Sequence, residues 1–188
     1  MLFTTNPLYG HLYPMLPLMN AARQAGHEVI VATGPDFAAE VDRHGFPIWA
    51  VGPTAQQVHT DAATANEDPP ADEIQRMVRA GMNLFGRPGI ARARDLIPLA
   101  ASRPPEVVVH ELTEAAGWQA AAVSGAVDVI HGFGTHIPYL IEAMEVVLRA
   151  VRSELGSPDR SLQLTDVPYV DPCPPLLQPP GGVPFRNV

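Results

Sequence analysis

Five short apolar runs, each followed by a stretch with helical spacing, leave this chain few folds other than an open parallel sheet. Residues 2–5, 27–33, 47–51, 107–110 and 127–130 read as strands. Helical patterns fill the intervals at about 13–25, 36–45, 71–85 and 88–101, then through Trp118, Ala121 and Val123 to Gly125. A last helix over 137–155 gathers Leu140, Ile141, Met144, Val147, Leu148 and Val151 on one face. Strands alternating with helices in this way predict right-handed crossovers and a doubly wound, Rossmann-like α/β sheet. A length of 188 residues suits one such domain and leaves little room for two.

An open parallel sheet holds its ligands beyond the carboxyl ends of its strands. The first such end runs into Asn6-Pro7-Leu8-Tyr9-Gly10-His11, which sets an imidazole in the first strand-to-helix turn. An imidazole titrates near neutrality and accepts a proton from a hydroxyl when a carboxylate orients it and stabilises its protonated form. Glu111, at the end of the fourth strand, is the carboxylate best placed to meet His11. At this level a capping or surface role for His11 stays open, because spacing alone does not bring the two together.

Composition narrows the chemistry. A net charge of −8 and a pI near 5.2 lack the basic footprint that a phosphate backbone requires, so nucleic acid is not an expected partner. All 12 basic side chains are arginine, which removes any lysine Schiff base or phosphate-loop lysine. Cys173 is the only cysteine, so no intrachain disulfide or cysteine-based zinc cluster forms. No run approaches the ~20 apolar residues of a bilayer span. Membrane insertion is not expected, and without a visible secretory signal a cytoplasmic location is. No Gly-x-Gly-x-x-Gly or Gly-x-Ser-x-Gly motif is present, so neither a dinucleotide cofactor nor a serine elbow is expected. His131 and His136 bracket a glycine-rich loop, but two ligands without a third define no metal site, and none is expected.

Two segments fall outside the alternation. Residues 52–70 are polar and poor in periodic signal, and read as a long surface loop. Residues 158–188 are rich in proline and read as an extended connector.

Gly10-His11 with Pro14 and Leu16-Pro17-Leu18, followed by Ala25-Gly26-His27-Glu28-Val29 and Ala32-Thr33, resembles the amino-terminal half of a GT-B glycosyltransferase. The subfamily resembled is that of the antibiotic and macrolide glycosyltransferases. The likeness continues at Val107-Val108-Val109-His110-Glu111, Ala115-Ala116-Gly117, Tyr169-Val170-Asp171-Pro172-Cys173-Pro174-Pro175 and Gln178-Pro179-Pro180, and so runs through nearly the whole chain.

The resemblance implies that residues 1–157 form an acceptor-binding domain and that 158–188 lead to a donor-binding domain absent here. It implies a hydrophobic small-molecule acceptor held around Tyr9, Gly10, Met82, Phe85, Phe133 and His136. His11 would deprotonate an acceptor hydroxyl for inverting attack on a nucleotide-activated sugar, a co-substrate and not a resident cofactor. Many relatives carry aspartate where Glu111 stands. The family's own nucleotide-sugar motif lies in the missing domain, and His131-Gly132-Phe133-Gly134-Thr135-His136 reads as an acceptor-side loop. Alone, the chain is expected to lack turnover. A stand-alone binding module without catalysis and a sugar epimerase of the same architecture are the competing readings, and a homodimer remains open.

Overall fold

The computed structural model describes residues 1–65, 70, 72–135, 137, 139–157 and 164–178, and the backbone of 186–187. The five expected strands are present as β1 (Leu2–Thr4), β2 (Ile30–Thr33), β3 (Ile48–Ala50), β4 (Val107–Glu111) and β5 (Val127–His131). β6 (Pro168–Val170) and β7 (Arg186–Asn187) extend them to a seven-stranded sheet of order β3-β2-β1-β4-β5-β6-β7, parallel at every pairing. The helices are α1 (Tyr9–Leu12), α2 (Leu16–Gln24), α3 (Ala38–Arg43), α4 (Ala55–Thr64), α5 (Glu73–Gly81), α6 (Arg87–Ser102), α7 (Ala115–Ser124) and α8 (Leu140–Leu155). This is the doubly wound α/β architecture. Strand order reverses at the β1–β4 junction, where such sheets open their ligand crevice.

Side-chain alternation along the strands builds the layers. Leu2 pairs in register with Ile30 and Val108, and the three face Ala93, Leu96 and Ala100 of α6 with Ala116, Ala120 and Ala121 of α7. One residue on, Phe3, Val31 and Val109 turn to the opposite face and meet Leu12, Met19, Ala22 and Val41. Across the other half of the sheet, Ile130 and Tyr169 pack with Trp118 and with Met144, Val147, Leu148 and Val151 of α8.

Four local departures from expectation have physical causes. The first helix is broken: Pro14 and Pro17 lack amide donors, so each opens a new turn, and the segment divides into α1, a 3₁₀ turn at Tyr13–Met15, and α2. Gly10 and His11 consequently lie within a helical turn. Residues 52–70 contain α4, started by a reciprocal cap in which Thr54 Oγ1 accepts from the Gln57 amide at 3.1 Å and Gln57 Oε1 accepts from the Thr54 amide at 2.9 Å. Asp36 caps this helix and not its own, accepting from the Ala55 amide at 2.9 Å. The expected break between the helices at 71–85 and 88–101 is instead a π turn, Met82–Gly86, joining α5 to α6. Finally, part of the proline-rich segment is sheet, with Tyr169 paired to Ile130 and buried.

Candidate active site

His11 lies within α1 beyond β1, and Glu111 ends β4 on the other side of the strand-order reversal. The fold brings them into contact: His11 Nδ1 lies 2.9 Å from Glu111 Oε1. Glu111 is wholly buried, whereas the His11 side chain keeps 13% of its surface exposed, so the carboxylate stands behind the ring and the ring stands toward solvent.

Four further hydrogen-bond contacts fix the carboxylate. Asn6 Nδ2 donates to Oε1, the Thr113 amide donates to Oε2 at 2.6 Å, and the Thr113 hydroxyl reaches Oε1 at 3.0 Å and Oε2 at 2.8 Å. Burial disfavours the charge on Glu111, but the His11 ring and the Thr113 amide and hydroxyl outweigh it and bring the carboxyl down to about 2. An ionised carboxylate only accepts, so His11 Nδ1 is the donor and Nε2 carries the lone pair. Burial also opposes protonation of His11, yet the adjacent carboxylate holds it above its ordinary 6.5, with Arg92 pulling the other way.

Two aromatic rings wall the imidazole. Phe133 stacks on it with centroids 4.7 Å apart and planes 26° apart, and Phe85, carried by the π turn, approaches to 5.9 Å. Beside them a small apolar pocket of about 70 Å³ opens between Pro7, Leu8, Val58 and Phe85. Met82 faces the core at the start of the same turn. Gly10 has open space where a side chain would project, and Tyr9 is exposed, with its ring against Tyr13 and Phe37 and not against His11. His136 lies outside the described residues. His131, beside Glu111 in the strand register, donates from Nδ1 to the Gly132 carbonyl, and burial holds it below 6.5. Among the described residues no three potential metal ligands converge, and no helix is long and apolar enough to cross a membrane.

Beneath this pair lies a second polar layer. The Arg92 guanidinium, fully buried, donates from Nη1 to Asn6 Oδ1 at 3.1 Å and to Glu114 Oε1 at 2.9 Å. Glu114 also receives Thr4 Oγ1 at 2.6 Å and caps α7 by accepting from the Ala116 and Gly117 amides. Sequence reasoning assigned no role to Asn6, Thr113, Arg92 or Glu114. For Asn6, Thr113 and Glu114 their places just past β1 and β4 were a usable signal; for Arg92 on α6 there was none.

An imidazole–carboxylate pair across the reversal of a parallel sheet invites comparison with known transferases. The curated L-demethylnoviosyl transferase of Streptomyces niveus is 30% identical over 190 residues, spanning 100% of this chain and 48% of that protein. The elloramycin glycosyltransferase ElmGT of Streptomyces olivaceus is 31% identical over 148 residues. The crystal structure of SsfS6, a glycosyltransferase of Streptomyces sp. SF2575, superposes with a TM-score of 0.77 at 25% identity, over 99% of this chain and 52% of that one. The chain is homologous to the antibiotic glycosyltransferases of the GT-B fold. The match spans 48% of the length of the first of these curated relatives and 36% of the second. No protein-family model matches it. In this glycosyltransferase homologue, then, the one ionised and fully buried carboxylate beside His11 belongs to a glutamate.

Proposed function

We propose that the chain is the acceptor-binding half of an inverting glycosyltransferase that moves a sugar from a nucleotide-activated donor to a hydroxyl of a hydrophobic natural product. The observation that carries this reading is the 2.9 Å contact between His11 Nδ1 and the buried Glu111 carboxylate, with Nε2 left as the acceptor of a proton. His11 Nε2 takes the hydroxyl proton as the acceptor oxygen forms its bond to the anomeric carbon. The bond from that carbon to the diphosphate breaks on the opposite face, and the leaving group departs with the electron pair. The imidazolium so formed is stabilised by Glu111, and the step calls on no metal. Phe85 and Phe133 would bound an apolar acceptor, with the π turn and the 132–135 loop as its walls. Tyr9, Gly10, Met82 and His136 belong to the same proposed acceptor region.

The donor would bind a second domain, to which residues 158–188 lead. The half-length match to the relatives supports this division. SsfS6 has been crystallised with thymidine diphosphate, which supports a nucleotide-linked donor here. The test is His11→Ala in a chain that includes both domains. Loss of turnover by about 10² to 10⁴ supports a general base; unchanged turnover removes that role from His11, and a two-domain chain without turnover before any substitution favours a binding module.

A further inference from the structure

Arg92 and Glu114 take no part in the proton transfer, yet they sit directly behind the groups that do. A buried guanidinium is costly, and two well-packed apolar side chains usually serve stability as well or better. Arg92 Nε and Nη2 find no partner among the described residues, which raises that cost. The polar atoms Arg92 does engage are Asn6 Oδ1 and Glu114 Oε1, through one nitrogen. Glu114 is pinned by Thr4 at the end of β1 and by the first amides of α7, so the guanidinium is held from both strands that flank the crevice.

We propose that Arg92 is a positioning residue for the His11–Glu111 pair: through Asn6 it dictates which nitrogen of His11 carries the proton. This rests on the reading of His11 as the base. A guanidinium has donors and no acceptor, so the end of the Asn6 amide facing Arg92 must be its oxygen. The amide nitrogen is thereby turned to Glu111 Oε1, with Thr113 Oγ1 at 3.2 Å. Were the amide reversed, its oxygen would oppose the carboxylate, and Oε1 would be driven off the line to His11 Nδ1. With Asn6 fixed, Oε1 is held where only an Nδ1–H tautomer satisfies it, leaving Nε2 to accept. The other titratable groups around this corner are His131 at the end of β5, facing Glu111 from the neighbouring strand, and Asp171 beyond it. His131 satisfies itself on the Gly132 carbonyl and does not compete for Glu111.

The experiment is long-range ¹H–¹⁵N NMR of His11 in the 188-residue chain, above the pH at which the ring titrates. The native chain should hold the Nδ1–H tautomer. Asn6→Ala, and Arg92→Met combined with Glu114→Gln so that no buried charge is orphaned, should each shift the ratio at least about tenfold toward Nε2–H, the equivalent of one charge-assisted hydrogen bond. If the double variant does not fold, Arg92→Gln combined with Glu114→Gln, which keeps both sites polar and uncharged, is read by the same criterion. A native chain in the Nε2–H form, or any folded variant with the native ratio, overturns the assignment. No sugar transfer enters the measurement, so an active His11→Ala transferase would overturn the proposed function and leave this result standing.

Discussion

Glu111 is the residue on which pH should act most plainly. Its folded value of about 2 lies below the ordinary 4.5, so the stability it contributes is complete above 4.5 and is lost as pH falls toward 2. The loss should be on the order of 3 kcal/mol, given ~1.4 kcal/mol per unit. Urea unfolding across that range should show it, and Glu111→Gln should flatten the profile. His11 has the opposite sign: raised above 6.5, its share is present below 6.5 and lost as pH climbs through its folded value. On the proposed reading of His11 as a base, the ring must be neutral to act, so the acid limb of kcat/KM in the proposed two-domain enzyme should lie above 6.5 and move to lower pH in Glu111→Gln. An acid limb unmoved by that change would separate Glu111 from the base. His11 and Glu111 were legible because both stand at strand ends, where an α/β sheet exposes chemistry. Arg92 was not, since its contact with Asn6 spans 86 residues of sequence and leaves no local pattern.

Elements depend on contacts of similar subtlety. Thr54→Ala should cost about 1 kcal/mol and raise amide exchange across α4, because it removes half of the reciprocal cap. Exchange unchanged in Ala55–Thr64 would mean that the Asp36 cap suffices. Gly117 sits where α7 crosses β1 and β4, and a methyl there would stand 2.7 Å from His110 Cβ and collide with the Thr4 hydroxyl that binds Glu114. Gly117→Ala should therefore destabilise by about 1–3 kcal/mol or more, read as a lowered urea midpoint. α4 escaped the reading of periodicity because it buries only Val58, although Thr54-Ala55-Gln56-Gln57 carries a capping-box pattern. The π turn had no comparable signature: an i→i+5 register depends on how α5 and α6 both meet α8, and a side chain at its Gly86 would press on the far end of Met82 and on Val147. Pro14 and Pro17 were visible as residues, but their effect in dividing one helix into α1, a 3₁₀ turn and α2 depended on where Leu12 and Met15 find the core.

At the scale of the whole molecule, the parallel class of sheet was evident from alternation, while β6 was hidden by its prolines. Tyr169 anchors that strand, buried against Gly132 and the α8 cluster, so Tyr169→Ala should cost about 3–5 kcal/mol, as other large aromatic truncations do. A small shift in unfolding midpoint would show instead that β6 is dispensable to the core. If the acceptor half is what this chain represents, calorimetric titration should detect a hydroxylated apolar ligand and no thymidine diphosphate; tight nucleotide binding would contradict the division of labour. The sheet's uniform polarity also sorts the turns by purpose. Among the described residues, four of the five glycines with positive φ, Gly26, Gly45, Gly125 and Gly156 at 88°, 74°, 73° and 61°, end helices at the edge from which strands depart, whereas Gly52 at 71° follows β3 on the other edge. His11, Glu111, Asn6 and Thr113 occupy the far edge. Most of the left-handed glycine turns thus lie at the pole opposite His11 and Glu111, so selection, or a designer's library, can vary much of the crevice edge without touching the helix stops that fix the scaffold.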